Sequence, residues 1–200
     1  MTSTPEPARD RKALRKELRA RRRAIPPEVR ARLERRVAQH VEHHVHLHPG
    51  QRIALYAPLA EELDVAPIAR VARRHGALIY LPRITDRHRK RMRFVRDGGV
   101  AIRNRLGILE PPLAGGIETR RLDLVFVPLV GFDAAGMRLG MGAGYYDRAF
   151  AFLRRRVSWR RPKLIGVAFA AQRVAVIDGA AHDVRLDAVV TELGVIRCRT

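Results

Sequence analysis

The chain has 200 residues, about one and a half times the commonest domain length, which predicts one domain with a sizeable core and leaves no room for two comfortable ones. Hydrophobic residues make up 46% of it, which excludes a disordered chain despite a net charge of +20. No run of roughly eighteen apolar residues exists, and the start MTSTPEPARDRKALRK lacks the apolar segment of an export signal. The single cysteine, Cys198, excludes an intrachain disulfide and any multi-cysteine metal site, so the expectation is a soluble, cytoplasmic protein with no membrane partner.

Only four of the forty basic residues are lysines. They concentrate in three places: residues 1–40 hold thirteen basic against five acidic residues, 83–105 nine against two, and 154–163 six against none. Clustered cations of this kind can bind nucleic-acid phosphates without sequence preference. The runs lack interleaved aromatics for base stacking and carry no recognisable nucleic-acid motif, so a basic nucleic-acid-binding protein on a degenerate enzyme scaffold stands as the alternative reading.

Residues 1–9 read as a flexible tail and 10–200 as the domain. A helix is expected over 10–24, where Leu14 and Leu18 share a face and Ile25-Pro26-Pro27 stops it. A second helix runs from Pro27 to Val45, with Val29, Leu33, Val37 and Val41 four residues apart. Its end holds five of the eight histidines; His40, His43 and His44 have a spacing compatible with a metal, but the plain reading is the surface end of a helix. Strand Arg52–Tyr56, a loop with Glu61, Glu62 and Asp64, a helix through Ile68 and Val71 to Gly76, and strand Ala77–Leu81 closed by Pro82 form a βαβ unit, hence a parallel sheet. Met92–Val95 and, more weakly, Gly107–Leu109 are further strand candidates. Leu124–Val127 is an unbroken apolar run bounded by Asp123 and Pro128, the mark of a core strand. A helix from Gly144 to about Arg156, a strand Leu164–Ala168, and Ala188–Thr191 with Val195–Ile196 complete one three-layer α/β domain with a mainly parallel central sheet and a basic N-terminal helical segment.

The sharpest local feature follows the best strand: Gly131-Phe132-Asp133, then Arg138-Leu139-Gly140-Met141-Gly142-Ala143-Gly144-Tyr145-Tyr146-Asp147-Arg148. Glycines at every second position let backbone N–H groups approach a ligand, and a helix opening at about Tyr145 would aim its positive end at the same spot. Ligands of parallel α/β sheets bind beyond the carboxyl ends of the strands, where this loop emerges. The pattern lacks the Gly-Lys-Ser/Thr of the nucleotide triphosphate loop and the glycine spacing of the dinucleotide fingerprint. It reads as a phosphate site, with Arg138 and Arg148 as partners of the anion and Asp147 as a hard oxygen ligand for Mg2+.

These residues resemble the 5-formyltetrahydrofolate cyclo-ligase family, as do six further blocks in order: Leu14-Arg15, Glu62-Leu63-Asp64, Leu81-Pro82-Arg83 with Met92-Arg93-Phe94, Gly107 to Pro111, Ile165 to Phe169 with Gln172, and His182-Asp183 leading to Asp187 and Glu192. The resemblance implies an ATP- and Mg2+-dependent enzyme that closes the formyl group of 5-formyltetrahydrofolate into 5,10-methenyltetrahydrofolate and releases ADP and phosphate. It implies ATP contacts from Arg11, Lys12 and Arg15 and from Arg138, Leu139, Gly140, Met141, Gly142, Ala143, Gly144, Tyr145 and Tyr146. Arg138 and Tyr145 take the catalytic part. Substrate contacts fall to Ala57, Glu62, Met141, Gly142, Ala143, Gly144 and Tyr145, and the metal to Asp147 and Asp187.

Three positions depart from the family's usual residues. Arg11 stands where Lys is common, which leaves open whether Arg11 or Lys12 takes the role; Val65 replaces a Thr, and Ala143 a Lys. Partners implied are small molecules, with no specific nucleic acid and a monomer or weak homodimer. His182 and Trp159 read as structural residues.

Overall fold

The computed structural model describes residues 10–98, 102–103, 109–110, 116–155 and 161–198. In chain order these form α1 (Arg11–Arg23), α2 (Pro27–His44), β1 (Arg52–Ala54), α3 (Ala66–Arg74), β2 (Leu78–Asp86), β3 (Arg91–Arg96), β4 (Ile102–Arg103) and β5 (Leu109–Glu110). There follow β6 (Leu124–Pro128), β7 (Gly131–Phe132), β8 (Arg138–Leu139), α4 (Tyr145–Ala149), β9 (Lys163–Val167), β10 (Ala188–Thr191) and β11 (Gly194–Arg197). The expected tail at 1–9 and Trp159 lie outside the described residues, as does most of the Gly107–Leu109 candidate.

Seven strands make the main sheet in the order β11-β10-β9-β6-β1-β2-β3. The five central strands are parallel, and β3 and β11 close the two edges as antiparallel partners. Along β6 the side chains alternate: Leu124 and Phe126 pack with α2 and α3 on one face, Val125 and Val127 with Phe150 and Leu153 on the other. Burial on both faces is why the strand reads as an unbroken apolar run rather than an alternating one. This is the expected three-layer α/β domain with a mainly parallel sheet. Helix α1 stands apart, seating Leu14 and Leu18 against Val130, Met137, Leu139 and Ile177 around the small β7–β8 hairpin.

Two expectations about elements are corrected. Pro82 does not close β2, which continues to Asp86 in antiparallel register with β3. A proline is tolerated there because β1 pairs β2 only as far as Tyr80, leaving that side of β2 an edge with no ladder hydrogen bond for Pro82 to miss. The helix expected from Gly144 to Arg156 is a single turn, α4, followed by a 3-10 turn over Ala151–Arg155 that lets Phe150 and Leu153, three residues apart, both reach the core.

Candidate active site

A cavity of about 610 Å³ opens at the carboxyl ends of β1, β2 and β6. Its walls are α1, the loop after β1, the overhanging part of the β2–β3 ribbon, the glycine loop, and His182-Asp183. Of the expected site residues it is lined by Arg11, Arg15, Ala57, Glu62, Arg138, Gly140, Met141, Gly142, Ala143, Gly144, Tyr145, Tyr146 and Asp147. A larger groove of about 1070 Å³ lies at the opposite, amino ends of the strands and contains none of the glycine loop.

The local sequence explains how the loop is held. The carboxylate of Asp133, 3% exposed, accepts the N–H groups of Ala135, Met137 and Ile177, which fixes the turn between β7 and β8. Gln172 donates to the carbonyls of Leu129 and Val130 and accepts from Phe169, tying the end of β9 to the end of β6. Gly142 and Gly144 take φ of 97° and 74°, a left-handed backbone that favours glycine. Gly144 caps α4, whose five residues sum too few peptide dipoles to be the main attraction for an anion. The anion-binding capacity rests on loop N–H groups and arginines.

Three guanidinium groups face the cavity, each held differently. Arg138, almost fully buried, donates to Asp147 Oδ1 at 2.5 Å and to the carbonyl of Val184. Arg11 pairs with Asp183 at 2.9 Å, and against the opposing effect of burial the Ala180 N–H and Arg11 hold the Asp183 carboxyl below its ordinary value. Arg15 has no carboxylate partner among the described residues: its Nε donates to the carbonyl of Gly140 at 2.8 Å, and its guanidinium lies against Gly142. It therefore presents a net positive charge to the glycine loop.

Beside these cations the cavity is lined by acidic and phenolic groups. Burial pushes the Glu62 carboxyl up, against the opposing pull of the Leu59 N–H and Arg22, and Oε2 accepts that N–H at 3.0 Å. Tyr56 donates to the carbonyl of Leu63 at 2.9 Å, whereas the buried hydroxyl of Tyr146 has no hydrogen-bond partner among the described residues. Burial raises both phenols far above their ordinary value. An orphaned buried hydroxyl at a cavity wall is a group that a ligand can satisfy.

Four expected residues are placed elsewhere. Lys12 points to solvent, so of the two alternatives Arg11 is the one that reaches the cavity. Leu139 is wholly buried behind the loop, packed on Leu14 and Leu18. Arg148 is exposed and does not line the cavity. Asp187, expected to share a metal with Asp147, sits just before β10 at the amino ends of the strands, where its Oδ2 accepts the Leu164 N–H at 2.7 Å. The physical reason is ordinary strand capping: a carboxylate beside the start of a strand satisfies a backbone donor there.

Sequence reasoning missed Asp183 as the partner of Arg11, the apolar wall of Pro82, Ile84 and Met92, and the grip of α1 on Glu61. The alternation Pro82/Ile84 against Met92/Phe94 could have shown the wall once β2 was read through its proline. The histidines of α2 form no metal group: among the described residues no cluster of three or more His, Cys, Asp or Glu side chains is arranged for an ion.

Comparison with known proteins gives one consistent result. The model of the 5-formyltetrahydrofolate cyclo-ligase family matches residues 7–192. The chain is 31% identical over 180 residues to the 5-formyltetrahydrofolate cyclo-ligase of Escherichia coli, covering 87% of this chain and 96% of that one. To the mouse enzyme of the same name it is 29% identical over 192 residues, covering 91% and 93%. Among solved structures, the 5,10-methenyltetrahydrofolate synthetase of Aquifex aeolicus superposes with a TM-score of 0.79 at 28% identity, covering 95% of this chain and 93% of that one.

Proposed function

The chain belongs to the 5-formyltetrahydrofolate cyclo-ligase family, and from that premise we propose how this cavity carries out the ATP-dependent cyclisation of 5-formyltetrahydrofolate to 5,10-methenyltetrahydrofolate. One observation carries the assignment of the site: the glycine loop, Arg15, Glu62 and the apolar side chains of Pro82, Ile84 and Met92 line one and the same cavity.

The formyl oxygen is a poor leaving group, and the reaction improves it by phosphorylation. That oxygen attacks the γ-phosphorus of ATP, the bond from phosphorus to the bridging oxygen breaks, and ADP departs. N10 then adds to the activated carbon, the C–O bond breaks with loss of phosphate, and the N10 proton is released as the methenyl cation forms. Such phosphoryl transfer asks the protein for position and charge rather than covalent chemistry. Arg15 and the N–H groups of Gly140 to Gly144 bind the phosphates, with Arg11 beside them. Glu62 takes hydrogen bonds from the guanidine-like edge of the pterin, as carboxylates do for paired donors. Pro82, Ile84 and Met92 exclude water from the activated intermediate, which hydrolysis would otherwise destroy. Tyr145 lies against both substrates from the start of α4, and Arg138 neutralises the charge that moves onto the transferred phosphoryl group.

Asp147 Oδ1 accepts from Arg138 and from the Val184 N–H, which leaves Oδ2 as the oxygen that fits a Mg2+ ion of the kind that takes most of its ligands from phosphate and water. Asp147 faces the cavity and would hold it, while the place of Asp187 does not suit that role. Bound there, the ion would neutralise phosphate charge. Mixing the protein with 5-formyltetrahydrofolate and MgATP is expected to yield the ultraviolet chromophore of the methenyl product with stoichiometric ADP, and Asp147→Asn to lower turnover by about two orders of magnitude or more, as losses of charge-stabilising groups do. A folded protein that binds ATP and forms no product would overturn the reading.

A further inference from the structure

Helix α1 does more than carry Arg11 and Arg15. Continuing along the same stripe, at spacings of four and three residues, come Arg19 and Arg22, and both close on one carboxylate, Glu61. Arg19 donates to both oxygens of Glu61, at 3.1 Å from Nε and 3.3 Å from Nη2; Arg23 adds Nη1 at 2.9 Å and Arg22 adds Nη2 at 3.3 Å. Arg22 is 2% exposed, and its Nη1 also reaches the carbonyl of Leu129 at the end of β6. From α2, Arg30 donates to the carbonyls of Glu61 and Glu62 at 3.0 and 2.8 Å. The turn Leu59–Glu62 is thus fastened mainly to the helix whose opposite end faces the glycine loop.

We infer that Glu61 is a positioning residue that couples the two substrate sites: seating nucleotide phosphates on Arg11 and Arg15 fixes α1, and α1, through Glu61, fixes the turn that presents Glu62 to the folate. The inference rests on the nucleotide and folate sides proposed above. Its physical basis is charge balance. Three guanidinium groups around one carboxylate repel one another, and the Glu61 carboxylate is the group that draws all three to the turn. Without it, the contacts of Arg19 and Arg23 to the turn are lost and α1 keeps only the attraction of Arg22 for Glu62, so the turn and α1 order less tightly together. Coupling of this kind is reciprocal, so each substrate must tighten the other by the same factor.

The test is calorimetric titration of 5-formyltetrahydrofolate into the protein, alone and with saturating Mg2+ and a non-hydrolysable ATP analogue. The wild type is expected to bind folate about 5-fold or more tightly when the nucleotide site is filled, within the usual range for coupled sites. Glu61→Gln is expected to bind the nucleotide analogue alone as the wild type does and to lose that enhancement. Should Glu61→Gln fail to fold, the double variant Arg19→Met/Arg23→Met, which removes the two outer contacts, gives the same readout. An enhancement that survives in a folded variant overturns the coupling role, as does a wild type that binds both ligands with no enhancement. Failure of the underlying reading is recognised separately: the wild type then binds no folate, or Arg15→Met leaves nucleotide affinity unchanged, and the inference falls with it.

Discussion

Glu61 and Glu62 are chain neighbours with the same ionisable group and opposite fates. Arg19 first and then Arg23 hold Glu61 down to about 2, against the opposing effect of burial, so its ion pairs stabilise the fold above the ordinary carboxylate range and are lost as pH falls through that low value. Glu62 is raised by burial, so the folded state binds its proton more tightly than the unfolded chain does. Its effect has the reverse sign: stability falls as pH rises through the window between the unfolded value of about 4.3 and the raised folded value, and the cost is constant above it. Glu62→Gln is therefore expected to melt above the wild type at pH 7.5, with the gap closing as the pH approaches about 4, while turnover drops. Scanning calorimetry across that range checks it; a variant less stable than the wild type at pH 7.5 would show that the Leu59 hydrogen bond outweighs the cost of burying the charge. None of this asymmetry was legible from Glu61-Glu62 as a dipeptide. Burial and partners decide it.

At the scale of elements, α1 is the part whose fit matters most and whose attachment was least visible. Its periodicity predicted a helix over 10–24, and α1 runs over Arg11–Arg23. What it packs on was not legible, because Leu14 and Leu18 fit any apolar surface equally. The surface turns out to include Gly131, where a Cβ would fall 2.3 Å from Leu18 Cδ1 and 3.3 Å from the carbonyl of Gln172. Gly131→Ala is thus expected to push α1 outward, costing about 1–3 kcal/mol in urea denaturation, as overpacking of filled cores does. Because Arg11 and Arg15 ride on that helix, KM for ATP is expected to rise in the same variant. An unchanged KM beside a lowered stability would show that the first turn of α1 holds its place independently of Leu18. The β2–β3 ribbon gives a matching lesson: a proline that reads as a stop is harmless on an edge, and edges are a property of the sheet.

For the molecule as a whole, the charge of +20 works in two directions that salt can separate. Mutual repulsion among unpaired surface arginines opposes folding, and raising ionic strength from about 10 to 150 mM screens it, so the melting temperature is expected to rise. The same screening weakens attraction of the anionic substrates, so kcat/KM is expected to fall over that range. A melting temperature that falls would mean that exposed ion pairs such as Arg73–Asp97 and Arg74–Glu42 outweigh the repulsion. The sequence by itself determined the class of fold and the glycine loop, because hydrophobic periodicity and the backbone freedom of glycine are local properties. It also carried the family signature, since that is a matter of residue order. Only the tertiary structure decided which of those residues share a cavity. It placed Arg11 rather than Lys12 there, set Leu139 behind the loop, and left Asp187 at the far end of the sheet, because the register of strands and the seating of α1 are fixed by packing between segments distant in the chain.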